Sequence, residues 1–252
     1  MRPNQTKRLL AARKTVIGTF CTGASPMLAE TLGVAGYDFV IVDLQHGENN
    51  LGNLQGMLQA VSATPATPVV RVPANMPVYI ERSLDLGAYG IIVPMVETSA
   101  EAEAIMRSVH YAPRGHRSWG PLRAALYSGP GYFAEAAREL LTIAMLETAD
   151  GLKNARAILS VSGIDGCFIG TNDLCIALGF PAEAGEYPPE VEAAILRIRD
   201  AAIAEGKAPG IQTFSAAAAN ARIAQGFRFV SIQSDFRMVR AGAAETLKAL
   251  VR

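Results

Sequence analysis

The sequence predicts a (β/α)8 barrel, and three observations carry the prediction. Strand-like and helix-like segments alternate from one end of the chain to the other. The strand-like segments are near-continuous apolar runs, as expected of parallel strands covered on both faces. Several helical patterns stop at a glycine suited to a left-handed cap, at Gly36, Gly87, Gly163, Gly206 and Gly226, after which a new strand begins. A chain of 252 residues suits this fold as one domain spanning 1–252. A doubly wound open sheet is the alternative, disfavoured because no G-x-G-x-x-G turn follows the first strand.

The elements follow in order. Met1 to Lys14 carries Arg2, Lys7, Arg8, Arg13 and Lys14, lacks the apolar segment and cleavage site of a secretory signal, and reads as an exposed first helix. Val16 to Phe20 leads into the helical pattern Pro26 to Ala35, and Phe39 to Leu44 is the second apolar run. Pro68 to Val72 leads into Val78 to Leu86, and Gly90 to Val96 into Ser99 to Val109. Leu141 to Thr148 precedes Gly151 to Ser160, and Gly166 to Thr171 precedes Glu190 to Glu205. Pro209 to Phe214 leads into Ser215 to Gln225, whose Ala-rich texture suits a barrel helix. Phe229 to Ser234 and a last helix, Phe236 to Val251, complete eight βα units. One long irregular stretch, Tyr111 to Gly131, follows the fourth strand; its length suggests function or packing against another subunit.

Composition narrows the partners. Half of the residues are hydrophobic and 18% are charged, enough for a large core, and no apolar run reaches membrane-spanning length. Lys plus Arg equals Asp plus Glu at 23 each, so no strong field recruits nucleic acid or an anionic membrane. A small neutral or anionic metabolite is the expected partner. Cys21, Cys167 and Cys175 lie in or beside apolar runs without zinc-binding spacing, which fits core thiols in a reduced, cytoplasmic compartment.

Catalytic groups of such barrels collect where strands end. The run F-V-I-V-D-L-Q-H-G, Phe39 to Gly47, ends in Asp43 and His46 at a tight turn, and other runs deliver Arg71, Glu97, Glu147 and Asp173. His46 titrates near neutrality and suits a base; a hydrogen-bonded structural role is the alternative. Gly47 lets substrate or a second loop approach closely. Arg71 in P-V-V-R-V must find an anion, and the end of its strand favours a substrate carboxylate or developing oxyanion over a structural partner. Asp43 and Asp85 are candidates to orient His46 or Arg71.

Glu147 ends the fifth strand and Asp173 follows the sixth, neighbours across roughly 5 Å of sheet. Two carboxylates so placed can share a hard or borderline divalent ion such as Mg²⁺ or Mn²⁺; each equally suits capping the helix that follows. Glu97, two strands from Asp173, is expected to face solvent or cap a helix. His110 and His116 fall in or near the long loop, where structural roles lead. Gly170, Thr171 and Asn172 present backbone amides to an anion at a strand-to-helix junction. The loops after the seventh and eighth strands lack the glycines of a phosphate site, favouring a non-phosphorylated substrate. Lys7, Lys14, Lys153, Lys207 and Lys248 all lie outside apolar strands, so a Schiff base is not expected and a metal would be the electron sink.

At G-Y-D-F-V-I-V-D-L-Q-H-G, P-V-V-R-V-P, I-I-V-P-M-V, Y-A-P-R-G-H-R, L-E-T, I-D-G-C-F-I-G-T-N-D-L and G-K-A-P-G-I the chain resembles the HpcH/HpaI family of metal-dependent class II pyruvate aldolases. The likeness runs from about Ile17 to the last helix. It implies a barrel of the phosphoenolpyruvate/pyruvate type and a divalent cation (Mg²⁺, Mn²⁺ or Co²⁺) held by Glu147 and Asp173. It also implies His46 as base, Asp85 raising its basicity, Arg71 stabilising the transition state and Asp43 supporting the network. The implied reaction reversibly cleaves a 4-hydroxy-2-oxo acid into pyruvate, or a close 2-oxo acid such as hydroxypyruvate, and an aldehyde through a metal-bound enolate. A homohexamer that exchanges its last helix is implied too, which suits the apolar stripe of Ala244, Leu247, Leu250 and Val251.

Departures from the family pattern cluster around the metal. Gln45 stands where relatives have Glu, Met145 where a substrate-contacting Gln is common, Thr171 and Asn172 where Pro-Ala is common, and Gln212 where an apolar residue is common. Substrate contacts are expected from Arg71, Met145, Gly170, Thr171, Asn172, Asp173 and Gln212. Arg117, Trp119 and Arg123 are candidates to touch the acceptor or a neighbouring subunit. Oxaloacetate decarboxylation and CoA-ester cleavage at the same metal-enolate site are the competing enzymatic readings; a metabolite-binding barrel without catalysis is the third.

Overall fold

In the computed structural model, which describes residues 1–182 and 187–250, eight parallel strands close into a barrel in sequence order. They are β1 (Val16–Cys21), β2 (Phe39–Asp43), β3 (Thr67–Arg71), β4 (Gly90–Val93), β5 (Leu141–Leu146), β6 (Gly166–Ile169), β7 (Ala208–Thr213) and β8 (Phe229–Ser234). β8 pairs back onto β1, with Val16 opposite Phe229, so the open-sheet alternative is excluded.

Alternation along each strand divides the apolar residues in two. Val40, Val42, Val70, Ile91 and Ile169 face outward and pack with the helices. Phe39, Ile41, Val69, Ile143, Phe168 and Phe229 fill the interior. The interior fits because glycines oppose rings: a Cβ on Gly18 would lie 2.2 Å from the Phe39 ring, which stacks on Phe229 at 4.1 Å between centroids.

The surrounding helices are α1 (Gln5–Ala11), α2 (Pro26–Val34), α3 (Leu54–Ser62), α4 (Pro77–Asp85), α5 (Ser99–Val109), α6 (Leu122–Ser128) and α7 (Tyr132–Glu139). They continue with α8 (Ala149–Lys153), α9 (Ala155–Leu159), α10 (Thr171–Ala177), α11 (Pro189–Ala204), α12 (Ala216–Ala224) and α13 (Asp235–Lys248). All five glycines read as helix stops have positive φ, from 70° at Gly206 to 101° at Gly36.

Four expectations need correction. β4 ends at Val93 rather than Val96, because Pro94 cannot donate to the ladder; β5 ends at Leu146, because Thr148 turns to cap α8. The helix expected over Gly151 to Ser160 is two, broken at Asn154, while α3, α6, α7 and α10 were not anticipated. The first helix is not merely exposed. Buried Asn4 at its N-cap donates to the Tyr89 and Glu139 carbonyls at 2.9 and 2.8 Å, and Leu10 joins the interior cluster, so α1 closes the lower end of the barrel.

The fourth correction concerns Tyr111 to Gly131. It leads from α5 into α7, contains α6 and lies on the return path to β5, which puts it at the N-terminal end of the strands, opposite the catalytic rim. At the other extreme of the chain, α13 leaves the barrel: Val239 to Leu250 are exposed throughout. Of the expected stripe, Ala244, Leu247 and Leu250 are among these, and Val251 lies outside the described residues.

Candidate active site

Asp43 and Arg71 stand opposite each other in the register of β2 and β3, and both are buried. Arg71 Nε donates to Asp43 Oδ1 at 2.8 Å and Nη2 to Oδ2 at 2.6 Å, a two-pronged pair that fixes the guanidinium plane. The guanidinium also lies 4.8 Å from the centroid of Phe20. Here the expectation shifts: the anion that Arg71 finds first is a neighbouring strand's carboxylate, because cross-strand register brings the two within reach.

Asp43 Oδ1 also accepts from the backbone N–H groups of Gln45 at 3.0 Å and His46 at 3.3 Å. One carboxylate therefore sets both the arginine and the turn that carries His46, whose side chain is exposed. Gly47 is glycine because a Cβ there would lie 2.6 Å from the Asp43 carbonyl and 2.7 Å from that of Thr22. The close approach is made by a second loop, one of the two possibilities raised by the sequence.

Glu147 sits one residue beyond β5 and is 1% exposed. Its Oε1 accepts from Met95 N–H at 2.9 Å, while Oε2 is buried without a hydrogen-bond partner. Burial pushes its pKa up to about 7; the negative charge of Asp173 adds to this, and the Met95 N–H and Arg71 oppose it. Met95 aims that N–H from a left-handed backbone, φ 56°, unusual for a residue with a side chain. Nothing in the sequence singled out Met95.

Gly170 faces Glu147 so closely that a Cβ would lie 2.0 Å from Oε2 and 2.7 Å from the Met145 side chain. Its own N–H donates to Leu146 O at 3.3 Å, so it is not free for a substrate anion as expected. Asp173 is exposed in the first turn of α10. Thr171 is buried and its hydroxyl accepts from Tyr187 at 2.9 Å, whereas Asn172 is exposed. Met145 is buried and joins the interior cluster, and Gln212 is half-buried at the upper end of β7. A further carboxylate missed by sequence reasoning, Asp235, accepts from the N–H groups of Thr22 at 2.8 Å and Gly23 at 2.7 Å, tying the end of β8 to the loop after β1.

Other candidates fall elsewhere. Asp85 ends α4, at the far end of the barrel from His46, and its Oδ1 accepts from Arg117 Nη2 at 2.6 Å. A helix that leaves the catalytic rim carries its last residue away from it, so within one chain Asp85 does not orient His46 or Arg71. Arg117 is buried and also donates to Tyr132 Oη at 2.9 Å, and Arg123 donates to Leu86 O at 3.1 Å. Both pin the lower connection to the end of α4 instead of reaching this chain's mouth; Trp119 is exposed beside them. His116 lies 3.5 Å from Glu81, and burial lowers the pKa of His110. Glu97 is half-buried, and α5 is capped by Thr98. Among the described residues no lysine lies in a strand.

The upper mouth thus gathers Asp43, Arg71, Glu147 and Asp173 beneath the His46 turn. Comparison with known proteins gives this arrangement relatives. The chain is 43% identical over 219 residues, 87% of each protein, to a hydroxypyruvate/pyruvate aldolase of Rhizorhabdus wittichii. It is 37% identical over 251 residues to a 5-keto-4-deoxy-D-glucarate aldolase of Shigella dysenteriae, covering 98% of this chain and 97% of that one. The crystal structure of an HpcH/HpaI aldolase/citrate lyase family protein from Burkholderia cenocepacia superposes with a TM-score of 0.92 at 29% identity, over 97% of this chain and 98% of that one. The family's sequence signature matches residues 16–241, nearly the whole barrel, and the chain therefore belongs to the HpcH/HpaI aldolase/citrate lyase family of carbon–carbon lyases.

Proposed function

We propose that this chain is a divalent-metal-dependent aldolase that reversibly cleaves a 4-hydroxy-2-oxo acid into an aldehyde and pyruvate or a close 2-oxo acid such as hydroxypyruvate. The observation that carries the reading is the Glu147 carboxylate, buried with one oxygen held by Met95 and the other without a partner. Such a group is costly to ionise unless a cation completes it. Relatives named as aldolases of hydroxypyruvate, pyruvate and 5-keto-4-deoxy-D-glucarate support the substrate class.

The donors fit a hard cation. Glu147 and Asp173 would hold the ion; among the described residues no third His, Cys, Asp or Glu joins them, and the other positions would be left to water and substrate oxygens. When bound, Mg²⁺, Mn²⁺ or Co²⁺ would supply Lewis-acid stabilisation of the negative charge that develops on the 2-oxo oxygen. Asp43 holds two nitrogens of Arg71; its remaining edge would receive the developing oxyanion. His46, fixed by its backbone yet exposed, would move the proton to and from the methyl carbon or the acceptor hydroxyl. Met145 and Gly170 would form the floor under the 2-oxo acid, with Thr171, Asn172 and Gln212 around it.

An oligomer, a hexamer with exchanged last helices, belongs to the same proposal. It is supported by exposed Val239 and Leu247 on α13, by exposed Leu250 just beyond it, and by exposed Trp119, Leu122 and Leu126 below the barrel. A role for Asp85 beside His46 would require a second chain. A reduced, cytoplasmic location is supported by Cys21, Cys167 and Cys175, all free and buried.

The test is exchange of pyruvate methyl protons in D₂O, followed by NMR with Mg²⁺ present or chelated, on wild type and Glu147→Ala. Metal-dependent exchange lost in the variant is the expected result. Absence of exchange with any divalent metal would remove pyruvate as the donor.

A further inference from the structure

At the N-terminal end of the strands, away from the mouth just described, a cavity of about 320 Å³ opens beside α1 and the connections into β6, β7 and β8. Lys7, Arg13, Lys207 and Arg228 line it against a single acid, Asp165, over an apolar floor that includes Leu10, Leu141 and Ile164. In a chain with 23 basic and 23 acidic residues this is a local excess of positive charge.

The hydrogen bonds divide the four cations. Lys7 Nζ bonds to Asp165 Oδ2 at 3.0 Å and Leu140 O at 2.6 Å, and Lys207 Nζ donates to Ile164 O at 2.7 Å. These lysines answer carbonyls and the one carboxylate, as expected of cations where helices end. Arg13 and Arg228 differ: neither enters a salt bridge among the described residues.

Both arginines nevertheless rise from fixed backbone. Arg13 has φ 59° and its N–H donates to Leu10 O at 2.9 Å. The Arg228 carbonyl accepts from Val16 N–H at 2.8 Å, and its own N–H donates to Pro209 O at 2.9 Å. The strand start that follows Arg13 is thus bonded directly to Arg228, which holds the two guanidinium stems at one rim.

We infer that this cavity is a binding site for a small polyanion bearing two or more carboxylate or phosphate groups. Arg13 and Arg228 supply the two forks, and the Lys207 ammonium adds to the field. The apolar floor limits the ligand to a compact one and raises the strength of each charged contact by excluding water. Nothing in the inference depends on the metal or on the reaction at the other end of the barrel.

Isothermal titration calorimetry of the metal-free protein at low ionic strength tests it, with citrate as the carboxylate probe and inorganic pyrophosphate as the phosphate probe. Saturable binding of at least one probe is expected, weakened about tenfold or more in Arg13→Ala/Arg228→Ala and partly restored in Arg13→Lys/Arg228→Lys. The same binding should persist in Glu147→Gln/Asp173→Asn, and the arginine variants should retain wild-type melting and pyruvate proton exchange. No saturable binding of either probe overturns the inference. So does binding that survives in the arginine-to-alanine variant or disappears in the Glu147→Gln/Asp173→Asn variant, which would locate it at the upper mouth.

Discussion

The two ends of β5 treat their neighbouring acids in opposite ways. At the lower end Asp165 is half-buried, and Lys7 Nζ lies at 3.0 Å and Thr142 N–H at 2.8 Å from one oxygen, so its charge is answered from within the protein. At the upper end Glu147 receives one backbone N–H, and its other oxygen has no partner. Burial raises the pKa of both carboxyls, yet only the first has a cation within hydrogen-bonding reach. Stability is invested at the closed end, where α1 and the Asn4 cap lock the barrel. The open end keeps an acid that is unfavourable alone and suited to a ligand, the division expected between the two faces of this fold.

The sharpest way to break the comparison is Glu147→Ala. Metal-dependent proton exchange should fall by about a thousandfold, since the metal contributes several kcal/mol to charge stabilisation. A residual rate within tenfold of wild type would show that the unpartnered oxygen has no catalytic task. At the lower end, Asn4→Ala removes hydrogen bonds to Tyr89 O, Glu139 O and Lys7 N–H. It should lower the unfolding free energy by about 3 kcal/mol in urea while leaving exchange per folded molecule unchanged. An equal loss of exchange activity would mean that the two ends are coupled.

The pH dependence sharpens the comparison further. Glu147 titrates near 7 in the folded chain against an ordinary value of 4.5, so between these values the folded state holds a proton that the unfolded state has lost. Its contribution to the stability of the metal-free protein therefore falls as pH rises through that window, by up to about 3 kcal/mol. Glu147→Gln should flatten this part of the stability curve, measured by urea unfolding at stepped pH; superimposable curves would assign the proton elsewhere. Metal affinity should move the other way, weakening as pH drops below 7, because ion and proton compete for one carboxylate.

The smallest effect belongs to Met95. Replacing it with glycine relieves a left-handed backbone at φ 56° and keeps the N–H that Glu147 uses. Stability should rise by about 1 kcal/mol with metal affinity unchanged. Weaker Mn²⁺ binding, read by electron paramagnetic resonance, would show instead that the Met95 side chain helps to hold the carboxylate.

Much of this was legible in the chain, for reasons that can be named. Apolar runs closed by glycines reveal strands and helix stops because both signals are local, and each of the eight strand segments appears where its run lies. Helices were missed where local signals compete: α10 starts directly after β6 with Thr171, Asn172 and Asp173, which read as a loop. Asp43, Arg71, Glu147 and Asp173 were identifiable as candidates because strand ends deliver them. Asp85 lies away from the mouth of its own chain because it ends the helix that leaves that mouth, and sequence likeness does not say whether a site residue and its partner belong to the same chain.

The sequence by itself determined the order of elements and the set of polar groups at the strand ends, since these follow from local apolar runs, glycine stops and chain order. Only the tertiary structure decided which partners those groups take. That Arg71 meets Asp43, that Glu147 keeps one oxygen free against Gly170, and that Asp85 turns to Arg117 depend on strand register and on which barrel end each connection occupies. Hydrogen bonds act across space between residues distant in sequence, and barrel closure brings these residues within range.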